Sequence, residues 1–457
     1  MTTRRGVLSQ GWRMALGATA LGPLAAACAA PGVPGGTERG AGPVGNPSAP
    51  VTTTVWHGWG DNREPIINEI FRKMRDKYPN VTVESTVSLP GVLEEKFGTA
   101  LVAGNPPDTA MLRQHFIPQF GLGGGLESLD AWVTRDKLKL KQLFYETDVD
   151  GCSFDGQYWM LPHSCTNANV QVAFNKDMTG RAGLDLDKNP PQTWDEVLQT
   201  AVSLTKRENG AITQLGADLD TTPALFDVYA GTVGSAAYSP DGRKVTFNEP
   251  KSIEVMEWLL RARQALGGRA DIATFRAQFP AGQQLFEDAR SLALNHRNYA
   301  IYGNFPVRTP DLKWGAFSVV PQRKDASMAL PNKPAWGWGM ASASKVKDAA
   351  WLVLRKMTTE EDGGAFLQLQ LGQPAPLRKV QESGDLKKYT PYWQVVVKTV
   401  EQRWKRPASY VPPDVDMAWQ ALVGRIAREE VSARSGLIDG AAQVQALLDA
   451  YWRGRGR

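Results

Sequence analysis

The apolar positions of the chain fall into two rhythms. Residues Val51-Thr52-Thr53-Thr54-Val55-Trp56 are rich in β-branched side chains and predict a strand. His57-Gly58-Trp59-Gly60-Asp61-Asn62 reads as a loop. Ile66, Ile67, Ile70, Phe71 and Met74 then recur at helical spacing as far as Tyr78, and Pro79-Asn80 ends the helix. Alternation over 81–87 predicts a second strand. A second helix over 93–103 is stopped by Gly104-Asn105-Pro106-Pro107, and 108–112 reads as a third strand. Strand–helix–strand–helix–strand predicts a parallel sheet with right-handed crossovers. Such sheets bind ligands at the carboxyl ends of their strands, which brings forward the loops 57–62 and 113–116.

The middle of the chain has the same grammar. Thr193 is a predicted N-cap before Trp194-Asp195-Glu196, with Glu196 completing a capping box. Helices are expected through Lys206 and over 250–266, and Asp155-Gly156 reads as a hairpin turn. The apolar strand Ser291-Leu292-Ala293-Leu294 opens into a polar loop, Asn295-His296-Arg297-Asn298-Tyr299. A strand near 314–320 precedes Pro334-Ala335-Trp336-Gly337-Trp338-Gly339. The tail predicts helices beginning at Asp348, Asp414 and Gly436. There is no internal repeat at the spacing of solenoids or propellers.

The N-terminus follows neither rhythm. Arg4, Arg5 and Arg13 precede 14 uncharged residues, Met14 to Ala27. That run is too short to span a hydrocarbon core of about 30 Å as a helix and fits the apolar region of a signal peptide, 1–27. Arg4-Arg5-Gly6-Val7-Leu8 resembles a twin-arginine export signal; an ordinary secretory signal with two arginines is the alternative. Leu24-Ala25-Ala26-Ala27-Cys28 resembles a bacterial lipobox, which implies cleavage before Cys28 and lipidation of its thiol. Several acyl chains on one residue suffice for stable membrane attachment, where a single chain gives marginal binding. Residues 31–50 hold six Gly and five Pro and read as a flexible tether, so the folded body is expected from Val51.

Roughly 400 residues follow, more than one hydrophobic core accommodates, so two lobes are expected. Three of the 52 basic residues precede Cys28, leaving 49 against 47 acidic ones. Near-neutrality without a basic cluster gives no reason to expect nucleic acid. Beyond Cys28 the chain keeps Cys152 and Cys165. They flank the Asp155-Gly156 hairpin, and a disulfide between them is permitted outside the cytoplasm but not established by spacing. Fifteen Trp exceed what a core readily buries and suit a protein that grips the apolar faces of sugars.

Catalytic patterns are missing. The four His, at 57, 115, 163 and 296, form no i, i+4 pair, and there is no nucleophile elbow. With two Cys they make no zinc pattern, so no metal or cofactor is expected. Gly121 to Gly125 lacks the residues of a phosphate loop and reads as a turn. The carboxylates Glu94-Glu95 and Glu360-Glu361-Asp362 lie in helix-like stretches and read as solvated faces.

Several short segments together carry a resemblance. They are Val55-Trp56-His57-Gly58-Trp59-Gly60, Phe71 through Tyr78-Pro79-Asn80-Val81, Ala103-Gly104-Asn105-Pro106-Pro107-Asp108, and Gly125-Leu126-Glu127-Ser128-Leu129-Asp130. Asp155-Gly156-Gln157-Tyr158, Leu161-Pro162, Phe174-Asn175-Lys176-Asp177, Pro190 to Glu196, and Ser344-Lys345 with Ala349-Ala350-Trp351 follow in order. By their order and spacing the chain resembles the extracellular solute-binding proteins of carbohydrate importers driven by ATP-binding cassettes, the maltose-binding-protein-like group. One stretch departs from it. The Gly-Lys/Arg-x-Ala-Met pattern before the second lobe's cleft loop is replaced by Asp288-Ala289-Arg290-Ser291-Leu292-Ala293-Leu294.

The resemblance implies an α/β, two-lobed periplasmic-binding-protein-like fold of type II. Each lobe would be a mostly parallel sheet flanked by helices, and hinge segments would let the lobes close on a ligand. It implies a first lobe over 51–168, a second over 169–336, a return to the first over 337–376 and a helical return to the second over 377–457, with crossings near 165–170, 335–338 and 374–378. Loop position and family pattern together nominate ligand contacts. These are His57, Trp59, Asp61, Arg113 and His115 in the first lobe, Asn295, Arg297 and Tyr299 in the second, Trp336 and Trp338 at a crossing, and Trp419. The last matches a stacking aromatic of the group. The implied protein is a non-enzymatic, monomeric, membrane-anchored receptor that delivers a sugar to permease subunits. A polyol phosphate or another anion is the alternative ligand, given Arg113 and Arg297, and an anchored carbohydrate-active enzyme the alternative class.

Overall fold

The computed structural model describes residues 43–60, 63–88, 92–163, 171–281, 283–297, 309–324, 335–395 and 411–454, and the single positions 305, 326, 328 and 397. The first repeat of strand and helix forms as the pattern predicts. It comprises β1 (Val51–His57), α1 (Glu64–Lys77), β2 (Val81–Val87), α2 (Val92–Val102) and β3 (Thr109–Arg113). Ile67, Ile70, Phe71 and Met74 are the buried stripe of α1, each contributing about 1.5–3 kcal/mol by leaving water.

Three short strands follow: β4 (Ser153–Phe154), β5 (Gln157–Tyr158) and β6 (Leu161–Pro162). The β4–β5 hairpin turns through Asp155 and Gly156, both at positive φ. The second lobe opens with β7 (Gln171–Asn175), α3 (Trp194–Leu204), β8 (Lys206–Glu208), β9 (Ala211–Ala217), α4 (Pro223–Thr232) and α5 (Pro250–Ala265). Next come β10 (Leu292–Arg297), β11 (Trp314–Ser318), β12 (Trp336–Met340), α6 (Lys347–Thr358), α7 (Gly364–Gln370), α8 (Pro413–Ala427) and α9 (Ala433–Arg453).

Two five-stranded sheets result, in the orders β2-β1-β3-β12-β6 and β11-β7-β10-β9-β8. They are mixed rather than mostly parallel. β1 runs parallel to β2 and β3, whereas β12 runs antiparallel to β3 and β6. In the second sheet only β9 and β10 are parallel; β7 opposes β10 and β11, and β8 opposes β9. Strands that enter a sheet from a crossing or a hairpin need no parallel crossover helix, so they pair antiparallel.

Asp108 explains one sequence landmark. Its Oδ2 accepts from the Thr54 backbone N–H (2.8 Å) and hydroxyl (2.9 Å), and its Oδ1 accepts from the Ser344 hydroxyl (2.6 Å). One carboxylate thus ties β1 to the entry of β3 and the exit of β12. Helix α6, buried continuously from Ala349 to Leu354, packs across β12 and β1.

Four details differ from the sequence reading. The chain is tied down before Val51: the Val44 N–H donates to Asp136 Oδ1 (3.2 Å), and Asn80 Nδ2 donates to the Pro47 carbonyl (2.8 Å). Helix α3 stops at Leu204, because Thr205 turns its hydroxyl to the Ala201 carbonyl and the Gly216 N–H. Asn295, His296 and Arg297 continue strand β10 instead of forming a loop, paired with Ala173, Val172 and Gln171. Contact with the first lobe continues past 374–378. Leu377 bridges Phe144, the helix Arg378–Glu382 packs on Leu140–Leu143, and Tyr392 reaches the second lobe, donating to the Trp314 carbonyl (2.8 Å). Helices α8 and α9 then pack on each other and against α4 and α5. Cys152 carries a free, buried thiol that accepts from Gln114 Nε2, and burial pushes its pKa up. Cys165 lies outside the described residues.

Candidate functional site

The carboxyl ends of β1, β3 and β6 and the start of β12 share one edge of the first sheet. His57 closes β1, Arg113 closes β3 opposite Trp336, and His163 follows β6, its backbone N–H bonded to the Trp336 carbonyl at 2.9 Å. Most of the first-lobe nominees meet here.

His57 is fully buried. Its Nδ1 accepts from the Trp59 backbone N–H (3.2 Å), so its proton sits on Nε2, which has no hydrogen-bond partner. Burial lowers its pKa to about 4, which keeps the ring neutral. Trp59 is half-buried. Its indole N–H donates to His163 Nε2 at 2.7 Å, and the Arg63 guanidinium lies over its ring at 5.1 Å. On the other side of His163, the Trp338 indole N–H lies 2.8 Å from Nδ1, with the rings edge-on at 5.5 Å. Gln368, fully buried on α7, places its amide nitrogen 3.3 Å from His163 Nε2.

A second cluster centres on Arg113. Its Nε donates to Glu94 Oε1 at 2.8 Å, and its backbone N–H reaches the same oxygen at 3.3 Å. Glu94 is therefore not a solvated carboxylate. It lies on the buried stripe of α2 with Leu93, Phe97 and Ala100, while the Arg113 side chain remains one-third exposed. The guanidinium sits over Phe116 (5.2 Å) and Trp336 (5.9 Å), and the His115 ring lies 4.5 Å from Phe116.

The remaining nominees separate from this edge. Asn295 is buried in the second sheet, paired with Ala173, and Arg297 ends the same strand. Trp419 is enclosed in the second lobe's core, stacked on Phe247 (4.4 Å, 19°) and edge-on to Phe226 (5.1 Å). Ring against ring, it is shielded from any ligand in this structure. Asp61 and Tyr299, and Cys28 at the N-terminus, lie outside the described residues. Two residues at the edge, Glu94 and His163, were not nominated. The position of His163, directly after Leu161-Pro162, was the signal for one; Glu94 carried only the helical rhythm of α2. Among the described residues, no three His, Cys, Asp or Glu side chains are grouped to hold a metal ion, and no helix is long and apolar enough to cross a membrane.

A family model described as bacterial extracellular solute-binding protein matches residues 60–364. The chain belongs to that family. Its members work outside the cytoplasm as binding proteins rather than enzymes. This solute-binding protein is 22% identical over 377 residues to a maltotriose-binding protein of Pyrococcus abyssi, an alignment spanning 81% of this chain and 76% of the relative. It is 25% identical over 290 residues to an erythritol/L-threitol-binding protein of Mycolicibacterium smegmatis, spanning 58% of each. Among solved structures, the acarbose-binding GacH receptor of Streptomyces glaucescens superposes with a TM-score of 0.71 at 15% identity, over 87% of this chain and 98% of that one. The fold is thus the two-lobed type II fold, with the Trp59 and Arg113 clusters on the first lobe at the strand ends where such sheets bind ligands.

Proposed function

We propose that this solute-binding protein is the receptor of an ATP-binding-cassette importer for a sugar or oligosaccharide. The observation that carries the reading is the composition of the first sheet's edge. The half-buried Trp59 and the Trp336 ring beside Arg113 offer aromatic faces for sugar C–H surfaces, and Arg113 and His115 offer donors for hydroxyls. His57 and Trp338 lie beneath as buried support, and Asn295 and Arg297 would meet the ligand from the second lobe. The maltotriose-binding relative favours the same chemistry.

Charge bears on the alternative ligand. Arg113 is already neutralised by a buried Glu94, so it offers hydrogen bonds without a free positive charge. That favours a neutral polyhydroxyl compound over a phosphate. The erythritol/L-threitol-binding relative keeps small polyols in the same neutral class.

The N-terminal reading completes the proposal. Cleavage before Cys28 and lipidation of its thiol would hold the receptor beside its permease, and the Gly- and Pro-rich segment ahead of Val44 would leave the lobes free to close. Cys28→Ser is expected to release the protein from membranes; a variant that stays in the membrane fraction overturns the anchor. For the ligand, a thermal-shift series with maltotriose, erythritol and inorganic phosphate decides. A ligand at 100 times its Kd stabilises by about 2.7 kcal/mol. A shift with phosphate and none with any sugar or polyol overturns the sugar reading, and turnover of the bound glycan would make the protein an enzyme.

A further inference from the structure

We propose that the ligand site continues past Trp59 into a further subsite walled by Val87 and Val92, and that the solute it takes is an oligosaccharide rather than a single sugar or a small polyol. The inference rests on the sugar-receptor reading and narrows it.

Val87 ends β2 directly opposite His57, at the same edge of the first sheet. The chain after β1 folds onto it. A Cβ added to Gly60 would stand 3.1 Å from Val87 Cγ1, and the Ser88 N–H donates to the His57 carbonyl (2.9 Å). Helix α2 closes in from the other side. Its Lys96 Nζ donates to the Ser88 hydroxyl (3.4 Å), and Val92 stands one turn earlier on the same helix face. The two valines thus lie at the end of β2, beside the loop that carries the half-buried Trp59.

Both are open to solvent, Val87 at 36% and Val92 at 43%. Among the described residues of the first lobe, Val102 is the other large apolar side chain classed as exposed, and it lies at the far end of α2. Single exposed apolar residues need no explanation, whereas a pair adjoining a polar-rimmed site marks a binding surface. An aliphatic wall next to an indole suits the C–H faces of successive sugar units, and the exposed Lys96 ammonium offers donors to their hydroxyls.

The apolar groups now follow the ends of four neighbouring strands: Val87 on β2, Trp59 after β1, Phe116 after β3 and Trp336 on β12. Neighbouring strands lie about 4.8 Å apart, so the row from β2 to β12 spans roughly 14 Å. One sugar ring or a four-carbon polyol covers a fraction of that row, and a trisaccharide covers it.

The test is calorimetric titration of the full chain with maltotriose, glucose and erythritol. The wild-type protein is expected to bind maltotriose at least tenfold more tightly than either short ligand. The double variant Val87→Ser/Val92→Ser, whose Tm should hold because both side chains are exposed, should bind maltotriose about tenfold more weakly, equivalent to about 1.4 kcal/mol. Val102→Ser, the same truncation at the far end of α2, should change nothing. Wild-type protein that binds glucose or erythritol as tightly as maltotriose overturns the subsite and leaves the sugar reading standing. A folded double variant with undiminished maltotriose affinity also overturns it. A protein that binds none of the three overturns the sugar reading and the subsite with it.

Discussion

The two lobes use the same residue types for opposite purposes. In the second lobe, Trp194, Tyr229 and Trp258 pack ring against ring at 4.7–5.3 Å, and Trp419 stacks on Phe247. The Trp194 N–H is satisfied by the Thr232 hydroxyl (3.0 Å), and the Tyr229 hydroxyl by His296 Nε2 (2.9 Å). At the edge of the first sheet the aromatics instead meet imidazoles, a guanidinium and an amide. Each region leaves polar atoms without a partner, His57 Nε2 and Gln368 Oε1 at the edge and Trp258 Nε1 and His296 Nδ1 in the second lobe. What separates the two regions is exposure: Trp59 and Arg113 stay partly open to solvent at the edge, whereas Trp194, Tyr229 and Trp258 are buried. The tryptophan content of the chain, taken alone, distinguishes neither use.

The largest way to probe the contrast is pH, because both regions bury neutral histidine. Burial lowers the pKa of His57 and His296 to about 4 and that of His163 to about 3, from 6.5. The folded values lie below the unfolded one, so below pH 6.5 the unfolded chain binds protons that the folded chain refuses. Stability is full above pH 6.5 and falls as pH drops towards 4. Between pH 7 and 5 each ring costs up to about 2 kcal/mol, at 1.36 kcal/mol per pH unit. Tm measured at both pH values should fall, and His163→Gln should fall less. A flat Tm across this window would mean that the rings are not buried neutral.

Trp419 gives the next effect. Trp419→Ala should cost about 3–5 kcal/mol of stability through the cavity it opens, with ligand affinity unchanged in the protein that remains folded. Loss of affinity without loss of Tm, read by calorimetry on the same preparation, would return Trp419 to the ligand site and break the contrast between core and edge. Glu94→Gln comes third, at about 1–3 kcal/mol, the cost of leaving a partly buried charged group unpaired. It also sharpens the ligand question. Freed of its carboxylate, Arg113 should gain affinity for inorganic phosphate, and a variant without that gain would show that Arg113 does not face the ligand.

The elements were legible because their rhythms are local. The stripe Ile67, Ile70, Phe71 and Met74, the alternation over 81–87 and the cap at Thr193, whose hydroxyl accepts from the Glu196 N–H (3.2 Å), need only neighbours in sequence. Even that box closes one residue early, with Glu196 accepting from Gln192. The site was half legible. Strand ends predicted His57, Trp59 and Arg113, but nothing local says that Glu94 turns inward to hold Arg113, 19 residues on. Nor does it say that His163 meets Trp338 across 175 positions. Trp419 misled because the side-chain type suited either role, and only its packing on Phe226 and Phe247 separates them.

The smallest expected effect is the most specific to the first-sheet edge. Trp338 is fully buried, and its N–H lies 2.8 Å from His163 Nδ1. Trp338→Phe keeps an aromatic ring and removes that one hydrogen bond, about 0.5–1.5 kcal/mol. Trp194→Phe in the second lobe removes the bond to the Thr232 hydroxyl at a similar cost. Both variants should lower Tm by the same small amount, but only Trp338→Phe alters the imidazole beside Trp59, so only it should change maltotriose affinity in calorimetric titrations. Equal affinities in the two variants would mean that the contacts of His163 do not reach the ligand site, which would break the contrast between edge and core.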